Sequence, residues 1–272
     1  MTSSHPYAEV IGDPIAQSKS PDIHRFWLKA LGVQGDYRAT RVTRAGLAEY
    51  VADRRRDPAW RGCNVTMPLK LDALLLADER SDRATAAGAA NLLVARDGGL
   101  LAANTDVGAI QELIAPLVTK GEDNPVVVLG NGGAARAVLL ALRSLEVGPV
   151  YLQARDMAEA TKLAVEFRTG YRPRRFDTPV DSKGLINATP MGMTGVATTR
   201  IDIAGMPKTG WLLDLVSAPL PTPLMTAASE NGLTVIDGLS MLVEQAAESF
   251  HLLFGVKPPR DRDPELFAML RG

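Results

Sequence analysis

The sequence predicts an α/β protein in two parts, the second built on a doubly wound, mostly parallel sheet. Two observations carry this reading. Short apolar runs alternate with amphipathic stretches along the chain, as strands and helices wound in turn do. In addition, the wholly apolar Val126-Val127-Val128-Leu129 leads into a glycine-rich turn and then a helix-like stretch, the opening unit of such a sheet.

In order, strands are expected at 8–11, 63–66 and 91–94, with helices over 21–31 and 44–53. A polar break follows at residues 119–125. Beyond it come the strand at 126–129 and a helix with apolar positions at Ala134, Val138, Ala141, Leu142 and Leu145. Further strands are expected at 150–153, 185–188, 211–216 and 234–236. The last long helix repeats apolar residues at Leu242, Val243, Ala246, Ala247, Phe250, Leu253 and Phe254, the spacing of one helical face.

Composition narrows the function class. The 272 residues, 46% hydrophobic, fit one large or two ordinary domains. Lys+Arg 30 against Asp+Glu 31 gives nucleic-acid or membrane-surface binding no electrostatic support. No apolar run approaches the roughly 18 residues that span a bilayer. Residues 1–6 have neither the basic start nor the apolar core of a secretory leader. The single cysteine, Cys63, allows no internal disulfide and suits the cytoplasm; it lies in an expected strand, where packing is its ordinary role. His5, His24 and His251 are scattered, so no metal site is expected.

The turn Gly130-Asn131-Gly132-Gly133-Ala134-Ala135-Arg136 carries the cofactor signal. Glycines at 130 and 132 let the backbone approach a pyrophosphate, and the following helix directs its free N–H groups at that anion. The spacing matches G-x-G-x-x-A, and its place between an apolar strand and an amphipathic helix predicts a Rossmann-type dinucleotide-binding unit. Cofactor choice is read at Ala154-Arg155-Asp156, near the end of the next strand. Arg155 suits a 2′-phosphate and favours NADP. Asp156 would favour NAD by accepting from a ribose hydroxyl, but it also stands where a helix N-cap with a capping box to Glu159 would.

A second constellation lies upstream. In Gly62-Cys63-Asn64-Val65-Thr66-Met67-Pro68-Leu69-Lys70, Pro68 stops a strand and presents Lys70 just beyond it. A lysine there, held by a carboxylate from a distant segment such as Asn104-Thr105-Asp106, is a candidate proton-transfer pair. A surface lysine and a turn aspartate explain the spacing equally well.

These residues resemble the shikimate dehydrogenases over nearly the whole chain. Residues 12–24, 62–70, 88–91, 104–106, 130–136, 187–193 and 237–246 look like seven family segments in family order. The resemblance implies an NADP-dependent oxidoreductase, NAD being possible, that interconverts shikimate and 3-dehydroshikimate. Lys70 and Asp106 would be its catalytic pair. Ser18 and Ser20 would bind the carboxylate of a small hydroxy-carboxylate substrate, although Ser20 before Pro21 also reads as an N-cap. Thr66, Asn91 and Gln245 would meet ring hydroxyls, with Asn91 as a plain turn residue the alternative. Gly130, Asn131, Gly132, Gly133, Ala134, Arg155, Thr189 and Met241 would hold the cofactor, Met241 being equally at home in a core.

Several positions depart from the family pattern: Gln17, Leu92, Ala102, Ala103, Val107 and, above all, Ser217, which stands for a tyrosine facing the substrate. Losing a phenol removes a hydrogen bond and a pocket wall together. Quinate or another shikimate-like substrate is therefore an alternative, as is a non-catalytic NAD(P)-binding regulator, against which the lysine–aspartate pair speaks. The expected domains are residues 1–105, completed by the C-terminal helices of 239–272, for substrate, and 106–238 for cofactor. The sequence leaves the oligomeric state open.

Overall fold

A computed structural model describes residues 5–97, 99–118, 125–167 and 172–272. The start of the chain, residues 1–4, and most of the expected polar break, 119–124, lie outside them. The chain divides into two compact units, one comprising the chain up to Thr105 with Val243–Gly272, the other Asp106–Leu242. Among the described residues no helix is long and apolar enough to cross a membrane.

The first unit contains β1 (Tyr7–Gly12), α1 (Ser20–Leu31), β2 (Asp36–Arg41), α2 (Leu47–Arg54), β3 (Trp60–Val65), α3 (Lys70–Leu76), β4 (Glu79–Arg80), α4 (Asp82–Ala87), β5 (Leu92–Arg96) and β6 (Gly99–Ala103). Its sheet runs β2-β1-β3-β5-β6-β4. The strands β2, β1 and β3 are parallel, whereas β5 pairs antiparallel with both β3 and β6. Fully buried Ile11, Cys63, Leu69 and Leu93 form part of the core on one side of this sheet. Helix α2 begins at Leu47, not Arg44, because Thr43 closes a turn first: its carbonyl and hydroxyl oxygens both accept from the Gly46 N–H.

The second unit contains α5 (Asp106–Ile114), β7 (Val126–Leu129), α6 (Gly133–Ser144), β8 (Val150–Ala154), α7 (Met157–Glu166), β9 (Arg172–Arg175), β10 (Gly184–Asn187), β11 (Trp211–Asp214), α8 (Pro223–Glu230) and β12 (Thr234–Ile236). Its strands run β12-β11-β10-β7-β8-β9, all parallel. Strand order reverses beside β7, the place where doubly wound sheets take ligands at their carboxyl ends. The expected strand at 211–216 ends at Asp214, whose carboxylate accepts from the Val216 N–H and turns the chain. Helix α9 (Gly238–Phe254) runs from the second unit into the first, and α10 (Asp263–Arg271) closes the chain.

The sixth strand of this sheet, β9, was not expected. Its sequence, Arg172-Pro173-Arg174-Arg175, has no apolar alternation and contains a proline. An edge strand tolerates both, since it pairs on one side only.

Candidate active site

In the first unit, the carboxyl ends of the parallel strands gather most of the expected substrate residues. Strand β1 ends at Gly12 and leads through Ser18 into α1. Ser18 Oγ accepts from the Ser20 N–H at 3.3 Å. Helix α1 has Lys19 as its N-cap, without a side-chain cap bond, and Ser20 is its first residue, buried. The N-cap expected of Ser20 is therefore displaced by one residue, because Ser18 supplies the acceptor at the helix start.

Beside it, β3 ends at Val65. The Thr66 N–H donates to Ile11 O at 2.9 Å, and the Val65 N–H to Asn91 O at 2.7 Å. Lys70 does not sit in a loop: it opens α3, and its carbonyl accepts from the Ala90 N–H at 2.8 Å. The backbone thus places half-buried Lys70 next to the segment that carries Asn91.

Asn91 is not a plain turn residue. It is 2% exposed, and it holds Thr105 by two bonds, Nδ2 to Oγ1 and Oδ1 from the backbone N–H, each 2.8 Å. Asn64 Nδ2 donates to Ser249 Oγ at 2.8 Å, and Tyr37 Oη donates to Asn64 Oδ1 at 2.7 Å. Gln245 Oε1 looks onto this group at 3.4–3.5 Å from Asn64 Nδ2, Asn91 Nδ2 and Thr105 Oγ1. Such contacts are long for hydrogen bonds, whereas the shorter ones bear the load of fixing geometry. Burial raises the Tyr37 hydroxyl well above its ordinary pKa, so Tyr37 stays a donor. Asp106, one peptide bond beyond Thr105, is buried and opens α5, where a carboxylate complements the helix N-terminus.

Sequence reasoning gave no role to Tyr37, Asn64, Thr105 or Ser249. For Asn64 and Thr105 a signal existed, since amide and hydroxyl side chains interrupt otherwise apolar runs. Ser249 lies inside the apolar repeat of α9 and carried none.

In the second unit, Gly130 has φ +101°, a conformation that favours glycine, and Gly132 caps α6 without a side chain. A methyl group on Gly132 would meet nothing within 4 Å. Open space over an uncapped helix N-terminus fits a dinucleotide phosphate, with Asn131, Gly133 and Ala134 in the same turn. Thr189 is drawn to this turn by Asn187, whose Oδ1 accepts from Thr189 N (3.1 Å) and Thr189 Oγ1 (2.6 Å). Asn187 Nδ2 in turn donates to Asp214 Oδ1 at 2.8 Å, and Thr222 Oγ1 donates to Asp214 Oδ2 at 2.6 Å. Burial holds the Asp214 carboxyl above its ordinary range in spite of these donors. This set fixes the loops after β10 and β11, and of its members Asn187, Asp214 and Thr222 were given no role by the sequence.

Arg155 is exposed just past the end of β8. Asp156 caps α7, accepting from Ala158 N and Glu159 N at 3.0 Å each. Glu159, expected to complete a capping box, pairs with Lys162. Met241 is buried in the first turn of α9. Ser217 lies half-buried just past the end of β11.

Comparison with known proteins agrees with this layout. Residues 10–93 match the family described as the shikimate dehydrogenase substrate binding domain, and residues 238–262 match the shikimate 5′-dehydrogenase C-terminal domain. The shikimate dehydrogenase (NADP(+)) of Sphingopyxis alaskensis is 46% identical over 98% of this chain and 99% of its own. A crystal structure of shikimate 5-dehydrogenase from Thermus thermophilus, in complex with NADP(H) and shikimate, is 34% identical with a TM-score of 0.86, covering 97% of this chain and 99% of that one. Quinate dehydrogenase from Corynebacterium glutamicum, in complex with NAD, is 28% identical with a TM-score of 0.83, covering 97% and 99%. At this identity and coverage, and with the two sheets ordered as described, the chain belongs to the shikimate dehydrogenase family.

Proposed function

We propose that this chain is an NADP-dependent oxidoreductase that interconverts shikimate and 3-dehydroshikimate. The observation that carries the reading is the collection of Thr66, Lys70, Asn91 and Gln245 around one end of the first sheet. It gains weight from near full-length similarity to a protein solved with NADP(H) and shikimate.

In this reading the part up to residue 105, with the C-terminal helices, takes the substrate, and 106–238 takes the cofactor. Ser18 and Ser20 donate to the substrate carboxylate. Thr66, Asn91 and Gln245 meet ring hydroxyls, which fixes the ring and selects which hydroxyl reacts. Lys70 takes the proton from the reacting hydroxyl during oxidation and returns one to the carbonyl oxygen during reduction. Asp106 orients Lys70 and bonds the same region of the substrate. Bound NADP supplies the hydride acceptor or donor. Gly130, Asn131, Gly132, Gly133 and Ala134 hold its pyrophosphate, Arg155 its 2′-phosphate, and Thr189 and Met241 border the rest. Asp156 caps α7 through Oδ1, a role that accounts for this carboxylate without a ribose contact. The single, buried Cys63 suits action in the cytoplasm.

A second reading, quinate in place of shikimate, is favoured by Ser217, where the family has a tyrosine, and by the likeness to a quinate dehydrogenase. Measuring cofactor reduction spectrophotometrically with shikimate and quinate, each with NADP and NAD, separates the two. The proposal expects shikimate with NADP to give the highest kcat/KM. A higher value for quinate installs the second reading, and turnover of neither substrate overturns both.

A further inference from the structure

The hydroxyl of Ser249 sits where α9 meets β3 and the segment that carries Thr105. It is fully buried on α9, one turn beyond Gln245. It receives Asn64 Nδ2 from β3 at 2.8 Å, lies 3.1 Å from Thr105 Oγ1, and donates to the Gln245 carbonyl at 3.0 Å. A serine hydroxyl has one proton and two acceptor positions. With its proton given to Gln245 O, one acceptor position takes Asn64 Nδ2 and the other faces the Thr105 hydroxyl. The Thr105 hydroxyl accepts from Asn91 Nδ2 and has one proton for two neighbours, Ser249 Oγ at 3.1 Å and Gln245 Oε1 at 3.4 Å.

From one side Tyr37 donates to Asn64 and Asn64 to Ser249; from the other Asn91 donates to the Thr105 hydroxyl, which lies against Ser249. The Tyr37 proton on Oδ1 leaves Asn64 to donate through Nδ2, and the Thr105 N–H on Asn91 Oδ1 does the same for Asn91. The backward bond from Ser249 to Gln245 O also ties this hub to the turn of α9 that carries the Gln245 side chain. Tyr37 is itself held in place, since its ring stacks on His24 at 3.9 Å, one turn along α1 from Ser20.

We propose that Ser249 is a positioning residue for substrate recognition, fixing the stance of Asn64 and Gln245, and that Tyr37 serves it through Asn64. This rests on the shikimate reading above. Ser249 touches no substrate in this role; it acts through the amides. Removing its hydroxyl takes from Asn64 Nδ2 its 2.8 Å acceptor and leaves it only the longer contacts to Asn91 O and Gln245 Oε1, at 3.4 and 3.5 Å, so the amides are held less tightly in one orientation.

The test is steady-state kinetics on Ser249→Ala, Tyr37→Phe and the double variant, with thermal midpoints measured alongside. Each single variant is expected to raise KM for shikimate about tenfold, with kcat changed less than about threefold and KM for NADP unmoved. Because both act through Asn64, the double variant is expected to raise KM by about the same tenfold and not about a hundredfold. An unchanged KM in Ser249→Ala overturns the proposal. So does a multiplicative double variant, or parallel losses in KM for NADP that follow the thermal midpoint. Wild-type protein inactive on shikimate would instead mark failure of the functional reading beneath it.

Discussion

Gly130 and Thr189 approach so closely that a methyl group on Gly130 would lie 2.9 Å from Thr189 Cγ2 and 3.1 Å from Ala188 O. A methyl group on Gly132, two residues on, would meet nothing within 4 Å. The two glycines of one turn thus serve different ends: the first lets two loops pack, and the second leaves room for a ligand.

Their alanine variants are expected to part accordingly. Gly130→Ala forces a side chain into a left-handed conformation and a contact, costing about 1–2 kcal/mol or more in stability. Gly132→Ala changes stability by less than about 1 kcal/mol. Yet it raises KM for NADP at least about tenfold, because its methyl group occupies the phosphate approach. Denaturant titration and cofactor kinetics on the pair check both halves; normal cofactor affinity in Gly132→Ala would remove the phosphate from this turn.

Cofactor choice is expected to rest on Arg155. Replacing Arg155 with Gln removes a charge-assisted contact and is expected to raise KM for NADP about 10- to 100-fold, leaving KM for NAD nearly unchanged. Asp156→Ala is expected to cost about 0.5–2 kcal/mol through the lost cap of α7 without weakening NAD. Should Asp156→Ala abolish NAD use at unchanged stability, the carboxylate is a ribose ligand and the assignment is wrong.

Much of this was legible in the sequence, and the reason differs by region. Strand β7 and the Gly130 turn announce themselves because a buried parallel strand must be wholly apolar and a phosphate turn must lack side chains. Strand β9 hides because an edge strand answers to neither demand. The buried cluster in the first unit was only half legible. Asn91 and Gln245 stood in recognisable segments, but Ser249 is one small residue in an apolar helix face. Its meaning comes from β3 and Thr105, which no local pattern brings together. Likewise Ser20 read as a cap from its proline neighbour, whereas the backbone gives that acceptor to Ser18.

His24 should make the protein sensitive to acid. Its ring is wholly buried and faces Tyr37, Trp27, Phe250 and Phe254, and neither ring nitrogen has a partner among the described residues. Burial lowers its pKa from 6.5 to about 3. The folded protein keeps His24 neutral while the unfolded chain protonates it below pH 6.5. Its contribution is therefore whole above that pH and is lost as pH falls toward 3, at up to about 1.4 kcal/mol per pH unit. Urea titrations of wild type and His24→Phe across this range check it; the variant is expected to show the shallower decline. Equal slopes would mean that His24 titrates alike in both states.

The central claim, that Lys70 moves the proton, is tested most directly by kcat for Lys70→Ala on shikimate with NADP, with circular dichroism confirming the fold. General acid–base catalysis of this kind is worth about 10²–10⁴-fold. The account predicts a fall of that size in kcat with a much smaller change in KM, since Ser18, Ser20, Asn91 and Gln245 still bind the substrate. Asp106→Asn is predicted to lower kcat in the same direction. A Lys70→Ala protein that turns shikimate over at near wild-type kcat would contradict it.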